Sequence, residues 1–376
     1  MERDEGKIFQ QLIKENEMFT KKVLLRILVL AVALSLALSA CGQAAVEEPA
    51  ATEAPAVVAT EAPAEVAVER GKGSGLPCAP NCQYGDLVVG FLQTGSEGGW
   101  RAANTASFNE TAEQLGLTLK FYDSQNDLAK QVAGFQQFIA DPDVNVIVLS
   151  ALETTGWEQL IRDAYAAGKI VVIQDRRIDG PASLYETFIG ADFVEEGRKA
   201  AKEICELLKD SPSKNVWELV GNVGSSAAKD RGQGFREAMT ECGLVVTKSQ
   251  TADWSITLGK QVTEAWLKET KDVQAIFGQN DEMALGAIEA LKEAGLVPGV
   301  DVKVLSVDAT TGAFNAMLAG TLNVTVECNP LLAPQVYEAA LMAANGEVLP
   351  EWVPSQEGVF RSTDANLQEI ASGRKY

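Results

Sequence analysis

From Asp86 onward the chain alternates short apolar, β-branched runs with longer stretches of helical period, and this alternation constrains the fold more than any other feature. Leu87-Val88-Val89-Gly90-Phe91-Leu92 precedes a helical stretch to Leu115, and Leu117 to Tyr122 follows it. Asn145 to Leu149, Ile170 to Ile173, Val216 to Val220, Leu244 to Thr247, Ala275 to Phe277, Val302 to Val307 and Asn323 to Val326 read as buried strands. Between them, Leu128, Val132, Phe135, Phe138 and Ile139, and again Met283, Leu285, Ile288 and Leu291, recur at nearly helical spacing. Such alternation builds parallel sheets covered on both faces. About ten strands exceed what one compact open sheet usually carries, so two α/β lobes with a cleft between them are expected.

Charge narrows the partners. The sequence has 32 Lys plus Arg against 52 Asp plus Glu, a net of -20, which repels nucleic-acid phosphate. It contains no histidine, which excludes Ser-His-Asp and Cys-His catalysis and histidine-ligated zinc. Gly221 to Gly224 before Ser225 suggests a phosphate loop only superficially, because no Gly-Lys-Ser/Thr follows and Lys229 is misplaced. A turn and helix start are expected there, and no cofactor or metal is expected.

The amino-terminal segment reads as an address. Lys21, Lys22 and Arg26 precede an apolar run from Ile27 to Leu38, too short to span a bilayer comfortably. Leu38-Ser39-Ala40-Cys41 resembles the bacterial lipoprotein box, which makes Cys41 a lipidated anchor after removal of residues 1–40. Met18 is an alternative start to Met1. The following segment repeats Ala-Thr-Glu-Ala-Pro-Ala at Ala51 and Ala59, and residues 41–85 read as a semi-extended tether. Cys78 and Cys82 leave a small disulfide loop open, and buried free thiols are the default for Cys205, Cys242 and Cys328.

In parallel sheets ligands sit beyond the carboxyl ends of the strands. Those positions are polar here: Ser96, Glu97, Trp100 and Arg101 after the first strand, Asp175 and Arg176 after the Ile170 run, and Arg231 beyond Val220. Trp254 follows the Leu244 run, Asn280 and Asp281 follow Phe277, and Asp308 and Glu327 end the last two. Singly, each has an ordinary explanation: Asp281 or Ser96 as a helix cap, Asp175 as a surface ion pair, Trp100 as core. Together, arginine forks, carboxylates and indole faces suit the hydroxyls and C–H face of a neutral polyol.

Gly95-Ser96-Glu97-Gly98-Gly99-Trp100-Arg101, Gly156-Trp157-Glu158, Asp175-Arg176-Arg177-Ile178-Asp179, Asp230-Arg231 with Gly234-Phe235, Asn280-Asp281 and Ser306-Val307-Asp308 carry a further signal. With them, residues from Val89 to about Pro350 resemble the sugar-binding periplasmic proteins of ABC importers, of the ribose and galactose type and nearest its galactofuranose-binding members. The resemblance implies two Rossmann-like lobes of parallel sheet joined by a three-strand hinge. The lobes would comprise residues 86–190 with 328–348 and residues 191–327 with 349–376. Trp100, Arg101, Asp175 and Arg176 would serve from the first lobe, Arg231, Trp254, Asn280 and Asp308 from the second, and Glu327 from the hinge.

The implied activity is capture of a monosaccharide for an ABC permease by a monomer, not catalysis. Ala309, Cys328 and the bulk of Trp254 depart from the family pattern and bear on sugar identity. A receptor-coupled sugar sensor shares the fold and stays open. A carboxylate glycosidase needs only two acids, yet the nearby arginines would keep these ionised. Replacing Asp175 or Arg231 by Ala is expected to weaken sugar binding by about tenfold or more with the fold intact.

Overall fold

The computed structural model describes residues 75–96 and 98–376. The leader, Cys41, most of the tether and Glu97 lie outside the described residues. Strands β1 (Val88–Gln93), β2 (Thr118–Asp123), β3 (Val146–Leu149), β4 (Ile170–Gln174) and β5 (Phe188–Gly190) form one sheet. A returning strand, β11 (Trp352–Pro354), completes the order β11-β5-β4-β3-β1-β2, with every pairing parallel. Alternate side chains serve opposite faces. Val146 and Val148 pack under helices α1 (Gly99–Leu115) and α9 (Ala333–Ala344), whereas Ile147 and Leu149 pack under α2 (Leu128–Ala140) and α3 (Glu158–Ala166).

The second sheet takes β6 (Asn215–Val220), β7 (Val245–Thr251), β8 (Ala275–Gly278), β9 (Lys303–Asp308), β10 (Val324–Glu327) and β12 (Val359–Arg361). Its order is β12-β10-β9-β8-β6-β7, parallel except where β12 runs antiparallel along β10. Helices α4 (Phe193–Leu207), α5 (Ser226–Met239), α6 (Ile256–Glu269), α7 (Asp281–Glu293), α8 (Thr311–Leu318) and α10 (Leu367–Gly373) complete this lobe. The α/β class and two-lobe architecture read from the alternation are therefore those observed. The phosphate-loop resemblance dissolves into a helix start, with Ser225 capping α5 through Ala228 N.

The chain passes between the sheets three times, at residues 191–192, 328–332 and 355–358. The last crossing follows β11, so residues 349–354 stay with the first sheet instead of opening the second lobe at 349. Phe188 N donates to Glu351 O and Trp352 Nε1 to Gly190 O, which fixes that strand on β5. The tether is likewise shorter than expected at its carboxyl end. Cys82 is buried on the first lobe, its amide donating to Asn345 Oδ1, and a disulfide joins it to Cys78.

A second disulfide, Cys205–Cys242, ties α4 to the turn after α5, which overturns the default of two free thiols. Helices α4 and α5 approach backbone to backbone. A Cβ on Gly197 would meet Arg231 O at 2.1 Å, and one on Gly234 would meet Val194 O at 1.8 Å. Glycine at both positions brings Glu196 alongside Arg231, which sets up the chemistry of the cleft.

Candidate functional site

A cavity of about 380 Å³, counting its mouth, opens between the lobes at the carboxyl ends of both sheets. Trp100, Arg101, Asp175 and Arg176 line it from the first lobe, and Ala227, Arg231, Trp254, Asn280, Glu282 and Asp308 from the second, with Cys328 at a crossing. The lobes touch around it. Gly99 N donates to Glu282 Oε1 at 2.7 Å, Arg177 N to Ser226 Oγ at 2.9 Å, and Lys229 Nζ to Thr154 Oγ1 at 2.8 Å. Trp100 Nε1 reaches the Cys328 carbonyl at 2.6 Å and so binds α1 to the crossing.

On the first lobe, Asp175 Oδ2 takes Arg101 Nη2 at 2.8 Å and the Ser150 hydroxyl at 3.1 Å, with Arg176 Nε at 3.8 Å. Arg101 also lies over the Trp100 ring, 4.6 Å from its centroid. On the second lobe, Arg231 is a hub. Its Nε donates to Glu196 Oε2 at 2.7 Å, Nη1 to Gln279 O at 2.7 Å, and Nη2 to Asp308 Oδ1 at 3.4 Å. Asn280 caps α7 through Met283 N and donates to Trp254 O. Arg176 and Arg231, from opposite lobes, both lie near the Trp254 ring, at 5.7 and 5.6 Å.

The strand ends carrying these groups are bent into backbone that side chains seldom adopt. Asp175, Trp254, Asp308 and Ala309 have φ of 61°, 62°, 120° and 60°. Such conformations cost roughly 1–3 kcal/mol each and persist where the surroundings impose them. Trp254 gains its place from Gly221, whose missing side chain leaves room for the indole.

Burial dominates the electrostatics. It opposes the charge on Arg231, but the Glu196 and Asp308 carboxylates outweigh it and hold the guanidinium pKa above its ordinary value. Burial raises the pKa of Glu196 and Asp308, which the Arg231 charge partly restores. Glu282 is raised by burial too, and its Oε2 is buried without a hydrogen-bond partner, as is Trp254 Nε1. These polar atoms await a partner from the cavity.

Eight of the residues singled out from the sequence thus meet at one cavity: Trp100, Arg101, Asp175, Arg176, Arg231, Trp254, Asn280 and Asp308. Ser96 does not; it is exposed on the loop after β1, and Glu97 lies outside the described residues. Glu327 is engaged elsewhere, bound by Arg374 Nη1 at 2.6 Å and the Tyr376 hydroxyl at 2.9 Å. The crossing residue that faces the cavity is its neighbour Cys328. Asp281 is not the helix cap, which is Asn280; it is fully buried and accepts from Ser306, Thr310 and Thr325. Glu282 was missed although it adjoins Asp281, and Cys328 was noted only as a departure from the family pattern, not as a lining residue.

Comparison with known proteins agrees with this geometry. Residues 89–347 match the periplasmic binding protein domain family. The chain is 35% identical over 289 residues to the galactofuranose-binding protein YtfQ of Escherichia coli, covering 76% of this chain and 90% of that one. It is 39% identical to a Mycobacterium smegmatis protein solved with β-D-fucofuranose, with a TM-score of 0.73 over 76% of this chain and 97% of the other. A Shewanella binding protein of an arabinose ABC transporter, solved with α- and β-L-arabinofuranose, is 35% identical with a TM-score of 0.73 over 77% and 96%. The family is one of non-catalytic solute-binding proteins, which sets the glycosidase alternative aside. The chain belongs to the periplasmic binding proteins, as an extracytoplasmic component of the ABC-importer type that binds a monosaccharide-like ligand.

Proposed function

We propose that the protein captures a monosaccharide in its furanose form in the interlobe cavity and delivers it to an ABC permease. The observation that carries this reading is the pairing of buried charges from both lobes around one cavity: Arg101 with Asp175, and Arg231 with Glu196 and Asp308. Side chains already paired and oriented need little reorganisation to exchange water for hydroxyls. In this reading Asp175 and Asp308 accept from vicinal hydroxyls, Arg101, Arg176, Arg231 and Asn280 donate to ring and hydroxyl oxygens, and Trp100 and Trp254 cover C–H faces. An analogue lacking a hydroxyl leaves such groups unpaired at about 1–3 kcal/mol each.

The furanose form is supported by the relatives, two of which were solved with fucofuranose and arabinofuranose. The protein acts as a monomer held to the outer face of the membrane by lipid on Cys41, at the end of an acidic, Pro-bearing tether. Titration calorimetry with arabinose, fucose, galactose and ribose, beside their methyl pyranosides, tests the sugar reading. Micromolar binding, about -8 kcal/mol, of a free sugar but not of its pyranoside is expected. Equal affinity for the ring-locked pyranoside, or no sugar bound, defeats it. Loss of radiolabelled fatty acid from a Cys41→Ala protein tests the anchor separately.

A further inference from the structure

Behind the cavity wall the three crossings bring three potential ligand groups together. Glu196 lies in the first turn of α4 just past the first crossing, Cys328 opens the second, and Glu357 sits in the third. One atom from each, a carboxylate oxygen or the thiol sulfur, lies within 4.8 Å of the other two. Cys328 is the one free thiol among the described cysteines.

Their remaining bonds leave atoms to spare. Glu196 is fully buried; Arg231 Nε occupies its Oε2, and its Oε1 has no hydrogen-bond partner. Glu357 Oε1 is held by Ser355 Oγ at 2.8 Å and Asn329 N at 3.3 Å, which leaves its second oxygen available. Glu196 and Asp308 share the guanidinium of Arg231, while burial and the neighbouring Glu196 carboxylate push the Glu357 carboxyl up to about 9. Thiolate with carboxylate is a donor set for a borderline metal such as zinc, not for calcium or magnesium.

We propose that Glu196, Cys328 and Glu357 form a zinc-class metal site that staples the three crossings at the back wall of the ligand cavity. Zinc bonds of about 2.0–2.3 Å set tetrahedral donors about 3.5 Å apart, a spacing within reach of three groups that lie within 4.8 Å of one another. Arg231 keeps its hold on Glu196 Oε2 while Oε1 turns to the metal. The protons of the Cys328 thiol and of the Glu357 carboxyl leave to solvent as the metal bonds form. A cation here restrains the crossings on which lobe opening depends, whether or not sugar is present.

The mature chain, freed of metal and sugar, is titrated with Cd²⁺ and separately with Zn²⁺. One equivalent of Cd²⁺ with a thiolate-to-metal ultraviolet band is expected, displaced by Zn²⁺, and Zn²⁺ is expected to raise the melting temperature. Cys328→Ser should abolish the band, and Glu357→Gln, which keeps the thiol, should weaken metal binding by tenfold or more. Absence of the band, its persistence in Cys328→Ser, or unchanged affinity in Glu357→Gln overturns the site. Should Cys328→Ser misfold by circular dichroism, the Glu357→Gln titration alone decides. Every readout is taken without sugar, so a failed sugar assignment leaves this result standing.

Discussion

The Trp254 indole rests on the bare backbone of Gly221: a methyl group at that glycine would fall 2.1 Å from the ring carbons Cη2 and Cζ2. The side chain that gives the second lobe its apolar face is thus positioned by an absent one. Gly221 also donates its amide to Gln279 Oε1, so its backbone is fixed and cannot retreat. Gly221→Ala is expected to displace the ring, shifting tryptophan fluorescence and weakening sugar binding by about tenfold or more, or about 1.4 kcal/mol. Calorimetry returning wild-type affinity would show that the indole does not face the ligand.

Removing Arg231 does more than remove a contact. Glu196 and Asp308, both buried, would lose their shared cation, and breaking a buried pair this way costs about 3–5 kcal/mol. Arg231→Ala is therefore expected to lower stability markedly in urea titration as well as to abolish sugar binding. This revises the expectation from sequence that the fold would be untouched. Asp175→Ala removes the carboxylate that faces the buried Arg101 guanidinium and is expected to lower stability as well, although Arg101 keeps Ser150 Oγ at 3.2 Å.

The legibility of the sequence followed run length. Strands such as β3 and β4 stood out because four consecutive apolar residues are buried in each. The three-residue strands β5, β11 and β12 offered no period to detect. Leu244 to Thr247 read as a buried strand, yet β7, like β2, is a sheet edge and largely exposed, a property of strand order that no local pattern contains. The site was legible where a polar residue directly ends a strand, as at Asp175 and Asp308. It failed at Glu327 because successive residues of an extended chain face opposite ways, so one position separates the cavity from the Arg374 pocket. Glu282 escaped because it lies inside a helix, where charge is ordinary.

That same distinction gives a prediction. Burial favours the neutral form of Glu327, but Arg374, the Gly358 amide and the Tyr376 hydroxyl overcome it and hold the pKa below the usual glutamate value. Glu327→Gln is expected to lower the melting temperature while leaving sugar affinity within about twofold, under about 0.4 kcal/mol. Cys328→Trp, which fills the cavity wall, is expected to abolish binding. Loss of affinity in Glu327→Gln would restore that residue to the site.

Asp281 supplies a pH dependence. Burial raises its pKa from 3.8 to about 6, against the pull of hydrogen bonds from Ser306 Oγ, Thr310 N and Thr310 Oγ1. Between these two values the folded state binds more protons than the unfolded one, so stability falls as pH rises through the window. Above about 6 the loss is complete, at about 1.4 kcal/mol per unit of separation. Urea midpoints for wild type minus Asp281→Asn, measured from pH 4 to pH 7, are expected to decline with pH and then level. A flat difference would mean that the carboxyl titrates normally.

The Cys205–Cys242 disulfide should matter for stability and not for recognition. It closes a loop with a sequence separation of 37, and chain entropy for a loop of that length is worth about 4 kcal/mol. Neither cysteine lines the cavity, yet the bond anchors the far ends of α4 and α5, the helices that carry Glu196 and Arg231. The glycine contacts at Gly197 and Gly234 hold the near ends in register independently. The Cys205→Ser, Cys242→Ser double variant is therefore expected to unfold at lower urea by that order of free energy while binding sugar with unchanged affinity. A weakened affinity would show that the Glu196–Arg231 pair depends on the distant clamp as well as on the glycine contact beside it.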